Sequence, residues 1–214
     1  MKQTNGYSIS FLLGAGLVFL LFAGRVLYSH SSFYGFLLWN LFLAFIPFCI
    51  SQYMLGKEDM SKLKWCLCFS TWLLFFPNAP YIVTDLIHLR FRNAVPLWYD
   101  AAMVFSAALT GLWIGCISLM QMEQLWRKQW PGIKARYFIA AVLLLSGFGI
   151  YLGRVLRFNS WDVIANPMDL MTAIGYRIIF PLQHLRTWGV TVLFAVIIWV
   201  AYQQIKNLTK NVSA

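Results

Sequence analysis

Six apolar runs dominate this sequence: Ser8 to Tyr28, Phe33 to Leu55, Trp65 to Leu89, Leu97 to Met122, Tyr137 to Leu156 and Pro181 to Gln204. A helix needs about 20 apolar residues to cross the hydrocarbon layer, so each run predicts a transmembrane helix. Lipid offers no hydrogen bonds, so a spanning segment must satisfy its own backbone, and runs of this length do that as helices. The expected fold is all-α, a polytopic helical membrane bundle of about six transmembrane helices forming one integral membrane domain over residues 1–214. Composition agrees: 60% of residues are hydrophobic and 11% charged, against about 45–50% and about 25% for a soluble domain. A soluble globular protein is excluded, and no room is left for a separate soluble catalytic domain. The first run follows Lys2 and has no small-x-small cleavage pattern after it, so it reads as a retained helix rather than a signal peptide.

The net charge of +10 would raise nucleic acid as a partner in a soluble chain. In this one, basic residues flank spans, where they hold cytoplasmic loops and meet anionic headgroups, so membrane lipid is the expected partner and nucleic acid is not. Cys49, Cys66, Cys68 and Cys116 all fall in apolar runs, and Cys66 and Cys68 lack CxxC spacing, so none predicts a redox or zinc site.

Sorting the basic residues by side puts Lys2, Lys57, Lys62, Lys64, Arg127, Lys128, Lys134, Arg136, Lys206 and Lys210 on one side and Arg25, Arg90, Arg92, Arg154, Arg157, Arg177 and Arg186 on the other. The positive-inside tendency then makes the first side cytoplasmic, with both termini there. Every Lys lies inside, whereas the outer side carries Arg alone. Arginine presents a planar fork of donors matched to carboxylate and phosphate, so an Arg-only face points to specific partners. Asp85, Asp100, Asp162, Asp169, His30, His88 and His184 also sort to that outer face, leaving Glu58, Asp59 and Glu123 inside. The outer face is the candidate site.

Three stretches carry it. The third span contains Phe76-Pro77-Asn78-Ala79-Pro80-Tyr81, and two prolines about 18 Å along a helix from Trp65 must kink or break it between Pro77 and Pro80. The carbonyls they free are tolerable only if bridged by side chains such as Asn78, buried in protein, or lining a wet cavity. Beyond the break, Tyr81, Asp85 and His88 share one helical face. Asp100 follows a short turn, within Trp98-Tyr99-Asp100 at the outer start of the fourth span, where an Asp is either paired or functional. Gly149-Ile150-Tyr151-Leu152-Gly153-Arg154 brings Tyr151 and Arg154 to the same level, followed by Arg157, Asn159 and Asp162. Gly149 with Gly153, and Gly111 with Gly115 in the fourth span, are small-xxx-small patterns that let these two helices pack backbone to backbone. Asn166-Pro167-Met168-Asp169 reads as a helix start, with Asn166 as N-cap, opening an interfacial helix to about Phe180. Pro181 then opens the last span, with His184 and Arg186 at the outer rim, and Asn40 and Arg25 reach the cluster from the first two spans.

These same motifs, FPNAPY with Thr84-Asp85 and His88, Trp98-Tyr99-Asp100, and GIYLGR through Arg157 and Asn159-Ser160-Trp161-Asp162, resemble a family of small bacterial multi-pass membrane proteins known as a domain of unknown function, DUF1361. The resemblance implies a bacterial, multi-pass protein of about this length and supplies a location without a reaction.

Three readings stand. In the first, Asp85, His88 and Asp100 act as acids, bases or metal ligands on an anionic lipid or lipid-linked substrate, bound by Asn78, Tyr81, Tyr151, Arg154, Arg157, Asp162 and Arg186. A zinc variant draws on Asp85, His88, Asp100 and His184, although no HExxH spacing supports it. In the second, the charges form buried ion pairs that only fix packing in a structural or accessory subunit. In the third, the broken helix serves a small-solute transporter, although no internal repeat accompanies it. No Gly-rich phosphate loop, nucleophile elbow or cofactor motif is found, so the cofactor is unassigned. Ser106, Ser118 and Ser146 are expected to hydrogen-bond to backbone or to a neighbouring helix.

Overall fold

The computed structural model describes residues 2–57, 59–91 and 95–212, and among them there are helices and no strands. Six segments are long and apolar enough to cross a bilayer: Gly6–Ser29, Phe33–Leu55, Lys62–His88, Leu97–Gln129, Ala135–Arg154 and Pro181–Thr209. The chain is a multi-pass membrane protein with an all-α fold. Glu58 and Arg92 lie outside the described residues, as do the side chains of Lys2 and Lys210.

The first two spans are α1 (Lys2–Ser29) and α2 (Phe36–Leu55), joined by a 3-10 turn at Phe33–Gly35. The third span opens with α3 (Lys62–Phe75), whose N-cap Ser61 accepts from the Lys64 amide. As the two prolines require, it breaks. A one-turn helix, α4 (Asn78–Tyr81), follows and passes into a 3-10 helix over Ile82–His88. The fourth span, α5 (Leu97–Gln129), continues past the expected end at Met122 because Gln121 to Gln129 remain helix formers with no Gly or Pro among them. The remaining elements are α6 (Ala135–Arg154), the single turn α7 (Asp162–Ala165), the surface helix α8 (Pro167–Ile179) and α9 (Leu185–Val212) after a 3-10 turn at Pro181–His184.

α5 is the axis of the bundle. Its first half joins α1, α2 and the broken segment in one apolar cluster around Leu37, Phe48, Met103 and Ile114, and its second half joins α3, α6 and α9 in another around Trp72, Leu119, Phe138 and Tyr202. Lipid removes most of the hydrophobic drive between spans, so close packing and interhelical hydrogen bonds must hold them. The Ser118 hydroxyl supplies such a link: it meets Ser51 Oγ at 3.1 Å and accepts from Trp72 Nε1 at 2.8 Å. Ser106 donates to the Ala102 carbonyl, also as expected, whereas Ser146 Oγ is buried and meets no partner among the described residues.

The glycines act differently from the sequence expectation. Gly111 and Gly115 on α5 do not face α6. A Cβ on Gly111 would sit 2.6 Å from Ile82 Cδ1, and one on Gly115 would sit 2.7 Å from Ala79 Cβ. On α6, Gly149 faces Pro77 and Gly153 faces Tyr81, at 3.0 and 3.1 Å for the same added atom. Both pairs receive the broken segment between them, and its Pro77, Ala79, Tyr81 and Ile82 approach closely where these neighbours lack side chains. The backbone-to-backbone approach lies elsewhere, between α6 and α9, where a Cβ on Gly147 would fall 2.2 Å from the Thr191 carbonyl oxygen. Gly147→Ala is therefore expected to lower stability by about 1–3 kcal/mol, whereas Gly189→Ala, with nothing within 4 Å of its Cβ, stays neutral or gains slightly. Thermal unfolding of the two variants in detergent checks this.

Candidate functional site

The break organises the site. Pro80 has no amide hydrogen and Ala79 N–H turns back to the Phe76 carbonyl at 3.2 Å, so the Phe75 carbonyl loses the partner that an unbroken helix would give it. Asn78 Nδ2 supplies the replacement at 2.9 Å and also donates to Ser160 Oγ at 3.0 Å. Asn78 thus does the bridging expected of it and ties the break to the loop after α6.

Beyond α4 the chain tightens to 3-10 pitch, in which residues three apart eclipse. The expected α-helical face is replaced by this narrower turn, and it still brings Tyr81, Thr84, Asp85 and His88 to one guanidinium, that of Arg154 at the last turn of α6. Arg154 Nε donates to Thr84 Oγ1 at 2.7 Å, Nη1 meets His88 Nε2 at 2.8 Å and Nη2 pairs with Asp85 Oδ1, while its Cζ lies 4.3 Å from the Tyr81 ring centroid. Asn40 Nδ2 donates to the other Asp85 oxygen at 2.8 Å. Arginine only donates, so His88 Nε2 is the acceptor and its proton sits on Nδ1. Three of the five guanidinium N–H bonds are thereby engaged among the described residues.

These residues form one wall of a cavity of about 340 Å³, at the small end of the ligand-pocket range. Asn78, Tyr81, Asp85, His88 and Arg154 line it, and among the described residues Arg154 is its one arginine or lysine. The rest of the lining is mainly apolar, from Phe36, Trp39, Leu74, Phe158 and Trp161, with Asn40, Asn159 and Ser160 interspersed. Trp39 and Trp161 meet edge to face at 6.4 Å and remain 51% and 45% exposed, which places them at the rim. Leu170 of α8 closes part of the cavity, while Met168, Met171 and Ile178 of that helix stay exposed, as suits an element lying at a membrane interface.

The other sequence candidates lie elsewhere. Asp100 is not part of this group: it pairs with Arg25, Nε to Oδ1 at 2.7 Å and Nη2 to Oδ2 at 3.3 Å, with side chains 1% and 2% exposed. Arg25 therefore holds Asp100 instead of reaching the Arg154 cluster, because α1 packs against the opening of α5, where Gly24 admits the Tyr99 hydroxyl. Tyr151 points to the other side of α6, under the Arg177 guanidinium at 5.6 Å. Arg157 sits at φ 65 with its side chain exposed, turning the chain after α6, and Arg186 is exposed at the start of α9. Asp162 is a structural acceptor: its oxygens receive the Asn159 amide at 2.6 Å and Asn166 Nδ2 at 3.1 Å. Asn166 stands at the N-cap position of α8 as expected, but its side chain makes no cap bond, and its Nδ2 donates to Asp162. His184 packs on Tyr176, with ring centroids 5.7 Å apart, and does not line the cavity. Among the described residues no three His, Cys, Asp or Glu side chains assemble at metal-ligating geometry, so the set Asp85, His88, Asp100 and His184 does not form.

Reasoning from sequence did not select Trp39, Phe36 or Phe158 as site residues, and nothing in their local pattern marks them. Thr84, Ser160 and Trp161 were visible inside the motifs without an assigned role. A model of the family described as Protein of unknown function (DUF1361) matches residues 39–201, which takes in the break, the Asp100 turn and the Arg154 motif. The chain belongs to the DUF1361 family. No curated protein and no solved structure matches it.

Two predictions follow from the partners. Asp100→Asn leaves Arg25 buried without its counter-charge and is expected to cost about 3–5 kcal/mol, whereas Arg186→Ala changes stability little, as unfolding in detergent will show. The Asn159 amide, with help from Asn166, holds the Asp162 carboxyl below its ordinary value of 3.8. A depressed carboxylate stabilises the fold above its unfolded value and loses that contribution as pH falls through the lower folded one. The amide resonance of Asn159 should therefore keep its position from neutral pH down to about 4 and shift only below it, and Asp162→Asn should abolish that transition.

Proposed function

We propose that this DUF1361 protein sits in the bacterial cytoplasmic membrane with both termini cytoplasmic, and that its cavity binds a membrane-resident amphiphile, an anionic lipid or lipid-linked molecule, by its headgroup. The observation that carries this is a cavity with a single guanidinium in its polar wall and a mainly apolar remainder rimmed by Trp39 and Trp161. The two remaining Arg154 N–H bonds offer the charged fork that suits a phosphate or carboxylate, and the aromatic walls suit the start of an acyl or prenyl chain. Asp85, His88 and Thr84 orient that fork: both Asp85 oxygens and His88 Nε2 are already occupied, which favours binding over acid–base chemistry by these groups as they stand. Access is sideways, since Leu74 of α3 lines the cavity and is 38% exposed on the face of the bundle that meets lipid.

A purely structural reading is favoured by one observation, that Arg154 and Asp85 have partners within the chain just as Arg25 and Asp100 do. Rim residues separate the two readings because they belong to no charged contact. Purified protein is expected to carry a stoichiometric anionic lipid by mass spectrometry. Trp161→Ala should reduce its retention by about tenfold, the effect of losing about 1.4 kcal/mol of contact, with thermal stability unchanged. Arg154→Lys should release it even where the protein stays folded. A bound-lipid profile that is identical in wild type, Trp161→Ala and folded Arg154→Lys protein would leave only the structural reading.

A further inference from the structure

The Arg154 cavity carries a second chemical requirement, which deepens the headgroup reading above and rests on it. An anion presents only acceptors, and Arg154 answers that need. The cavity also presents acceptors of its own. Asn40 Nδ2 donates to Asp85 Oδ2 at 2.8 Å, and because a carboxylate only accepts, the Asn40 amide is oriented with Oδ1 as its other end. Asn78 commits both Nδ2 hydrogens, one to the Phe75 carbonyl at 2.9 Å and one to Ser160 Oγ at 3.0 Å, which fixes its Oδ1 in the same way. Neither amide oxygen meets a donor among the described residues, and the Tyr81 hydroxyl makes no hydrogen bond among them. Ser160 accepts from Asn78, and its own O–H meets no acceptor there.

All four residues are half-buried and line the cavity. They reach it from three parts of the chain: Asn40 from α2, Asn78 and Tyr81 from α4, and Ser160 from the loop after α6. Unpaired polar atoms elsewhere are of another kind. Ser146 Oγ, Thr187 Oγ1 and the Trp188 indole nitrogen are sealed from solvent, whereas Asn40 Oδ1, Asn78 Oδ1 and Tyr81 Oη are accessible. Water hydrogen-bonds such atoms until a ligand arrives, and a ligand that displaces the water without replacing its hydrogen bonds loses affinity. A simple phosphodiester or a carboxylate brings no donor and sets its own oxygens against the two amide oxygens. A headgroup suited to this cavity therefore carries donors beside its anion.

Two further observations narrow those donors. An ammonium would need a free carboxylate, but both Asp85 oxygens are occupied and the Arg154 guanidinium stands on the same wall. Hydroxyl groups have no such need. A cavity of about 340 Å³ lies at the small end of the ligand-pocket range, which suits one polyol or one sugar ring rather than a longer glycan.

We infer that the cavity selects a hydroxylated anionic headgroup, a glycerol or a single sugar ring joined through phosphate to its lipid, with the phosphate at Arg154 and the hydroxyls at Asn40, Asn78, Tyr81 and Ser160. The test is competition in native mass spectrometry of the full chain. Three of the probes share one phosphodiester charge: phosphatidylglycerol, a prenyl phosphate carrying one hexose, and phosphatidylethanol, which lacks the hydroxyls. Phosphatidylethanolamine is the fourth. The better retained of the two hydroxylated lipids is expected to exceed phosphatidylethanol by about tenfold, and which of them it is identifies the source of the hydroxyls. Tyr81→Phe keeps the ring against Arg154 and deletes only the hydroxyl, so it should narrow that ratio about threefold, and Ser160→Ala should narrow it as well. Equal retention of the hydroxylated lipids and phosphatidylethanol would overturn hydroxyl selection and leave the anionic-headgroup reading standing. Phosphatidylethanolamine held as well as the hydroxylated lipids would overturn it in favour of an ammonium. A ratio unmoved in both variants would overturn the assignment to these side chains, and the wild-type ratio with Ser160→Ala decides the matter even where Tyr81→Phe does not fold. Retention of none of the four lipids would overturn the headgroup reading itself, and this inference with it.

Discussion

Two prolines remove two amide donors from within the third span, and the rest of the structure is arranged around that deficit. Asn78 takes over the Phe75 carbonyl, and the Ala79 amide moves to Phe76, so the deficit left by Pro80 is met from within. The chain then leaves α-helical pitch, and the broken segment needs a close seat against its neighbours. Gly111 and Gly115 on one side and Gly149 and Gly153 on the other provide it. With that segment seated, Thr84, Asp85 and His88 have only one place to meet a cation, at the end of α6. The cavity is the space left where the narrowed helix no longer fills the gap between α2, α6 and the loop that carries Ser160.

Charge follows a consistent rule through the bundle. Burying an ion without a partner is costly, so Arg25 has Asp100, Arg154 has Asp85, and Glu123 has Lys206 and Arg127. What differs is the remainder after pairing. Arg25 spends its donors on Asp100, Ser29 and the Ser31 carbonyl, which closes that site to ligands. Arg154 lines a cavity with three of its five N–H bonds engaged. At the lysine-rich end the surplus is whole side chains, Lys134 and Arg136, around an uncapped helix start. One rule therefore yields a structural lock, a cavity lined by a partly engaged guanidinium and an open basic surface, according to how many donors remain once the internal partners are satisfied.

Much of this was legible in the sequence. The six spans, the break at Pro77 to Pro80, the bridging role of Asn78, the surface helix after Pro167 and the convergence of Tyr81, Asp85 and His88 all follow from local rules. Those rules are the length of an apolar run, the missing amide of proline and the angular spacing of neighbours along a helix. Each acts within a few residues, so one chain segment contains all the information it needs.

Partner choice between segments was decided only by the tertiary structure. Asp85 and Asp100 look equivalent as outer-face acids, yet one faces Arg154 and the other Arg25, because which helix lies beside which is set by packing of whole faces. The two glycine pairs looked like a mutual α5–α6 contact and proved to be the two sides of a seat for a third segment. Asp162 read as a ligand group and serves its own loop, and Trp39 entered the site from a helix with no motif at all. Helix propensity and hydropathy are short-range properties of sequence, whereas pairing of charges across 69 or 75 residues depends on the arrangement of all six spans at once.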